Sequence, residues 1–308
     1  MIIRKYLNNL IYIIFFSIVI FICIYLYCIK LNSHIAHNDI ELTETYLSDN
    51  KFYLFLQDEF DENGNSILSD FFKQEDSLDR LYNFNKILHS RYDYIEVMYQ
   101  PIEYIGEYSY NLDFVNGYLD SGKSVDLSNQ KVKINNKYEY ITPLNTVQLD
   151  YKAYEHFNLN INEGRNFQKS DFYISQEVPI ILGKNYSELY KIGDNIEFYY
   201  LGVKIKAKVI GILSQDNNIN YIKNISFDNY IIMPFLEINN INFLNDYQFT
   251  NNYDNGIENF FFKLLYTQKN NGIFISDNLD YYENLNHDIK NISDKLNLDY
   301  KVINYYDK

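Results

Sequence analysis

Tryptophan is absent from this 308-residue chain, cysteine occurs twice, proline four times and glycine eleven times. Both cysteines, Cys23 and Cys28, lie in one N-terminal apolar run. Beyond that run, a disulfide framework, a cysteine-ligated zinc site and a cysteine nucleophile are all excluded. Basic residues are also scarce: 27 Lys and Arg face 41 Asp and Glu, a net charge of −14. Binding a phosphate backbone needs clustered Lys and Arg, so nucleic acid is not an expected partner. The same balance argues against a domain lying flat on an anionic membrane.

Signatures of catalysis are sparse as well. The chain has neither a G-x-S-x-G elbow nor an H-E-x-x-H pair, and His89, His156 and His287 stand apart in sequence. No phosphate-binding loop is expected, and with it no ATPase role. His34 and His37 sit three apart near Asp39 and Glu41, a spacing common on solvated helix faces, so no metal is assigned there. Glu59, Asp61, Asn63 and Gly64 imitate the start of a calcium loop. Its first position should be Asp and its twelfth is Asp70 rather than Glu, so an Asn-Gly turn explains the segment better. The expectation is a non-enzyme with no catalytic residue, no cofactor and no metal.

What is present is apolar and aromatic. Hydrophobic residues make up 47% of the chain, enough for a substantial core, and 33 Tyr and 22 Phe supply all of its aromatics. Residues 10–29 are apolar apart from Ser17, and about 20 residues span a hydrocarbon core of ~30 Å. Arg4 and Lys5 precede the run, which predicts a cytoplasmic N-terminus and an extracytoplasmic remainder. The run is longer than a signal-peptide core and ends in Tyr27-Cys28-Ile29-Lys30, without a small-residue cleavage site, so an uncleaved anchor is expected.

After the anchor, Lys51–Phe60 reads as a strand, Asp76–Ser90 as a helix and Tyr94–Ile105 as an extended run broken by Pro101. Asn111–Asn136 reads as a surface excursion, and Tyr138–Leu149 as a strand with Pro143 at an edge or bend. Val178–Leu182 has the apolar run of a buried strand, and Ile192-Gly193-Asp194 is a turn signal. Ile196–Leu201 pairs across Gly202 with a strand in which Val203, Ile205, Ala207 and Val209 alternate with Lys204, Lys206 and Lys208. Asp216–Asn224 and Glu237–Gly256 read as loops, Asn229–Phe235 and Asn259–Tyr266 as strands. Asn278–Leu296 is a helix with Tyr282, Leu285, Ile289, Ile292 and Leu296 on one face, and Tyr300–Tyr305 closes as a strand. The outer region thus begins and ends with strand–helix–strand.

Four short stretches fall in a known order. Glu163-Gly164-Arg165-Asn166-Phe167 through Asp171 is similar to the E-G-R-x-F-x-x-x-D element of MacB-type permeases. Val178-Pro179-Ile180-Ile181-Leu182-Gly183 is similar to their V-P-V-I-L-G/S strand. Ile192-Gly193-Asp194 and Val209-Ile210-Gly211-Ile212-Leu213 are similar to their V-G-D and V-V-G-I-L pair. Residues 163–213 therefore resemble the extracytoplasmic core domain of MacB/FtsX-like ABC transporter permeases. Gly164, Arg165, Pro179, Gly183, Gly193, Asp194 and Gly211 carry the match as structural residues.

The resemblance implies an α+β fold: an anchor over residues 1–30, then a two-lobed outer domain over 31–308. One lobe would be α/β (about 50–110 and 257–306) and the other mostly β (about 111–256). It also implies a cell-membrane location, expected to be bacterial, an ABC ATPase subunit as partner and a homodimer. The exported substrate would be a peptide, lipid or drug. The family continues into three further membrane helices where this sequence ends at Lys308: a natural half, with a second membrane subunit supplying them as a partner, a truncated product and an accessory single-pass protein are all open readings. The function implied is a non-catalytic outer domain relaying conformational change in an export or extraction system. A stand-alone single-pass surface binding or sensor module is the alternative.

Overall fold

The computed structural model describes residues 51–60, 66–134, 137–173, 175, 177–220, 224–237 and 256–304. The expected anchor, the His34/His37 pair, the turn at 61–65 and most of the loop at 237–256 lie outside the described residues. Among the described residues no helix is long and apolar enough to cross a membrane.

The chain opens with β1 (Phe52–Asp58), α1 (Ser66–Phe72), α2 (Ser77–Arg91) and β2 (Tyr94–Ile95). A long middle section follows: β3 (Val97–Met98), β4 (Ile102–Ile105), β5 (Gln130–Ile134), β6 (Lys137–Leu144), β7 (Thr146–Leu149) and α3 (Tyr151–Phe157). It continues through β8 (Ile161–Gly164), β9 (Val178–Leu182), β10 (Asn195–Tyr200), β11 (Val203–Leu213), β12 (Asn218–Asn220), β13 (Asn224–Ser226), β14 (Ile231–Pro234) and α4 (Gly256–Lys269). The described chain closes with β15 (Ile273–Ser276), α5 (Tyr281–Lys295) and β16 (Tyr300–Ile303). The result is a mixed α and β fold.

The first and last pieces build one sheet. Its order is β16-β1-β15-β2, with every neighbouring pair antiparallel. Numbered among themselves, these strands run 4-1-3-2, the split βαβ arrangement with α2 and α5 as its two crossovers. Both faces are apolar because each is covered. Leu54, Leu56, Tyr94, Phe274, Tyr300 and Val302 pack with Leu81, Phe84 and Leu88 of α2 and with Leu285 and Ile289 of α5. Tyr53, Ile95, Ile273 and Ile275 point the other way, into a cluster shared with Val147, Leu149, Ile181 and Ile232 of the middle section. Phe84 lies at the centre of the α2 face with Leu81 and Leu88, fully buried.

The middle section forms a ten-stranded mixed sheet in the order β3-β7-β14-β9-β11-β10-β4-β6-β5, with β8 also on β11. The β10–β11 hairpin turns through Leu201 and Gly202, both at positive φ, as a two-residue primed turn requires. Along β11 the alternation expected from sequence holds: Val203, Ile205, Ala207 and Val209 are buried while Lys206 and Lys208 are exposed.

Three expectations are corrected. The run 259–266 is not a strand but part of α4. Phe261, Phe262, Leu265 and Tyr266 are buried at helical spacing, a face that a short apolar run does not distinguish from a buried strand. The segment 111–136 is not wholly a surface excursion, since Phe114 and Val115 are buried and residues 130–134 form β5. The Asn-rich stretch after Asp216 is a small hairpin, β12 on β13.

Candidate functional site

Five of the seven residues that carry the family resemblance, Gly164, Arg165, Gly193, Asp194 and Gly211, meet at one place, the backbone of Val209–Gly211, while Pro179 and Gly183 lie elsewhere on β9 and at its end. From one side, Gly164 stands opposite Gly211 in the β8–β11 ladder, and Arg165 N–H donates to Ile210 O at 2.9 Å. From the other, Gly193 N–H donates to Val209 O at 2.8 Å and Val209 N–H to Asp194 O at 2.9 Å. A Cβ on Gly164 would lie 2.2 Å from Ile210 O, so no side chain fits there without parting the strands. Gly183 is equally enclosed: a Cβ would meet Phe227 O at 2.0 Å. Gly193 serves its turn through a positive φ of 95°, with Asp194 Oδ2 accepting Lys191 N–H at 2.8 Å.

Pro179 sits on β9 opposite Lys208, before the pairing of β9 with β14 begins at Ile181, so its missing N–H breaks no ladder on that side. Arg165 forks onto Asp171, with Nη1 to Oδ2 at 2.5 Å and Nη2 to Oδ1 at 3.1 Å. Asp171 Oδ2 also accepts Gln168 N–H at 2.7 Å. Every one of these polar groups is spent on holding backbone. The arrangement is a bracket, with no free nucleophile or acid–base pair.

The segment Gly117-Tyr118-Leu119-Asp120-Ser121-Gly122-Lys123-Ser124 corrects the expectation about phosphate loops, because it spells G-x-x-x-x-G-K-S. Its geometry supplies the reason it is not one. A phosphate loop joins a strand to a helix and leaves its N–H groups free to cradle an anion. Here a chain of turns runs on towards β5, and the N–H groups of Ser121, Gly122, Lys123 and Val125 are bonded within the segment. The Lys123 ammonium pairs with Asp113 at 3.3 Å.

A second cluster was not legible in the sequence. Glu96, between β2 and β3, is the residue at which the chain leaves the four-stranded sheet for the ten-stranded one. It is fully buried. Its Oε1 accepts Asn85 Nδ2–H at 2.7 Å and lies 2.8 Å from His89 Nε2, both on α2. Its Oε2 lies 2.5 Å from Lys269 Nζ, at the end of α4 where the chain returns to the four-stranded sheet. Lys269 is buried too, with its ammonium 4.9 Å from the Phe235 ring centre. Beside them Asp150, also buried, caps α3 by accepting Ala153 N–H at 2.7 Å, and its own N–H donates to Glu96 O. Tyr94 ties the same crossing, donating to Lys269 O and accepting from Gly272 N–H.

Charge sets the protonation here. Burial pushes the Glu96 carboxyl up, but Lys269, His89 and Asn85 outweigh it and hold the group well below the usual carboxylate range. Burial and the neighbouring Glu96 charge push Asp150 up, and the Ala153 N–H, His89 and Lys269 only partly offset them. Burial lowers His89, yet its hydrogen bond to Glu96 and the charges of Glu96 and Asp150 raise it overall. Donor atoms of His89, Glu96 and Asp150 lie within 4.8 Å of one another, close enough for a metal. Both Glu96 oxygens are already engaged, however, and Lys269 is the resident cation. His89, isolated in sequence, is thus a buried carboxylate's partner. His156 lies 3.1 Å from the Tyr53 hydroxyl, and His287 is exposed on α5.

No protein-family model matches the chain, and no curated protein matches it. Among solved structures, the extracellular domain of the noncanonic ABC-type transporter YknZ from Gram-positive bacteria is similar at 12% identity and a TM-score of 0.36, over 82% of this chain and 100% of that one. The periplasmic region of MacB from Actinobacillus actinomycetemcomitans is similar at 13% identity and a TM-score of 0.37, over 84% of this chain and 90% of that one.

Proposed function

We propose that the chain is a membrane-anchored component of an ABC-type export or extraction system. Its outer region is a non-catalytic permease domain that works by conformational relay and protein contacts. The observation that carries this reading is the meeting of Gly164, Arg165, Gly193, Asp194 and Gly211 on three consecutive residues of β11. These residues come from three of the stretches in which the sequence resembles the permease core domain. The bracket stiffens β11, the longest strand described, at 11 residues. A stiff strand through the middle of a sheet suits a part that passes motion rather than performs chemistry. Its partners are an ABC ATPase subunit and a membrane subunit, and residues 31–308 face outward from a single N-terminal anchor.

The test is co-purification of the tagged full-length chain from its native membrane. An ABC ATPase and a second membrane subunit are expected to come with it in fixed ratio. Recovery of neither, from a preparation in which the chain itself is intact, overturns the proposal.

One observation favours the alternative, a stand-alone binding module. Tyr138 and Tyr140 of β6 are exposed and stand opposite Lys133 and Lys131 of β5, so all four share one face at the rim of the large sheet. Exposed tyrosines are the part of this face that matches a contact surface, where aromatics are enriched. A chain that binds a surface ligand through this face with no ATPase in its complex would support that reading.

A further inference from the structure

The described chain passes between the two sheets twice, at Glu96 and at Lys269–Gly272, and a buried ion pair joins the two crossings. The groups around this pair come from every element packed there. His89 and Asn85 face it from α2, Asp150 from the start of α3, Lys269 and Tyr266 from α4, Tyr94 from β2 and Tyr200 from β10. Lys152 of α3 is turned away onto Asp93, in an exposed pair at 2.6 Å. The cluster therefore holds two carboxylates, one fixed ammonium and one imidazole whose ring is a third exposed to water.

We propose that this cluster is a proton-operated joint between the two sheets. With His89 charged, Glu96 has a cation on each oxygen and Asp150 carries a proton or shares those cations. The crossing is then pinned. Once His89 and Asp150 have both lost their protons, two buried carboxylates face the Lys269 ammonium alone. A buried charge without a partner is costly, and the structure relieves it by admitting water at the His89 edge and loosening the crossing. Asp150 is raised to about 7 and His89 above its ordinary value, so a rise in the surrounding pH past both alters the freedom of one sheet against the other. The inference does not depend on the transport reading.

The experiment measures the distance between the sheets on the full-length chain in detergent. Cys23→Ser and Cys28→Ser remove both native thiols. Lys290→Cys on α5 and Lys133→Cys on β5, both exposed, then carry spin labels for double electron–electron resonance. Spectra are taken at about pH 6 and about pH 8.5, either side of the ordinary histidine value. A narrow distribution is expected at the lower pH and a broader, longer one at the higher. Asp150→Asn keeps a good helix cap without the charge and is expected to stay narrow at both. His89→Gln tests the other proton and is expected to move the broadening to lower pH, so the question stays answerable if Asp150→Asn folds poorly. Superimposable distributions at the two values in the parent, or a pH response unchanged by both substitutions, overturn the proposal.

Discussion

Glu96 and Lys269 are 173 positions apart in sequence, yet their side chains meet at 2.5 Å, at the two points where the chain changes sheets. Neither residue reaches water. Breaking such a pair from one side leaves the other charge stranded.

Lys269→Met is therefore expected to cost roughly 3–5 kcal/mol of stability, as for other half-removed buried pairs. Adding Glu96→Gln to it should recover part of that loss, because the stranded charge is gone. Urea unfolding of both single variants, the double variant and the parent measures both effects. A double variant as unstable as the sum of its singles would show that the two side chains act independently.

The same cluster sets a pH profile. Glu96 is depressed to about 2, so its contribution is fully present above the unfolded value and is lost as pH falls from there through about 2. His89 is raised, so its contribution is present below its unfolded value and fades as pH rises through the folded one. Asp150 is raised to about 7, so its ionisation opposes folding increasingly between the unfolded value and that point. All three signs favour mildly acidic conditions. Melting temperature should peak there and decline towards pH ~8, and Asp150→Asn should flatten the alkaline decline.

Gly164 and Gly193 separate two reasons for glycine. Gly193→Ala meets open space and only the strain of a positive φ, expected to cost ~1 kcal/mol. Gly164→Ala adds a collision with Ile210 O to the same kind of φ and should cost roughly twice that or more. Thermal melts of the two variants give the ranking, and equal losses would mean that the close approach of β8 to β11 does not matter.

Two aromatics of similar size predict opposite outcomes. Phe262→Ala empties a buried site under α4 and should cost about 3–5 kcal/mol. Tyr138 is 65% exposed, and Tyr138→Ala should stay within about 0.5 kcal/mol in denaturant unfolding.

Local chemistry was legible in the sequence where patterns are local. The alternation of Val203–Val209, the α5 face through Leu285 and Ile289, and the turn at Gly193-Asp194 all follow from neighbours a few residues apart. The run 259–266 misled because a short stretch with six apolar residues in eight fits a buried strand as well as a helix, and only the burial of Phe261, Phe262 and Leu265 together decides between them. Glu96 gave one faint signal, a carboxylate inside an apolar extended run. Lys269 gave none, because a contact across 173 positions leaves no spacing to read, and His89, seven residues before Glu96 on the preceding helix, matches no local motif.

The 4-1-3-2 order of the small sheet has one more consequence. Ile95 and Ile273 are direct opposite numbers on adjacent antiparallel strands, so the ends of the long middle section stand side by side. A two-residue turn could bridge them. A miniature protein of β1, α1, α2, β2, β15, α5 and β16 is thus encoded in two separate pieces, with everything between grafted onto a hairpin position. Building it would need Tyr53, Ile95, Ile273 and Ile275, which now face the graft, to be made polar, and a substitute for Tyr266 of α4, which packs into the small sheet's own core.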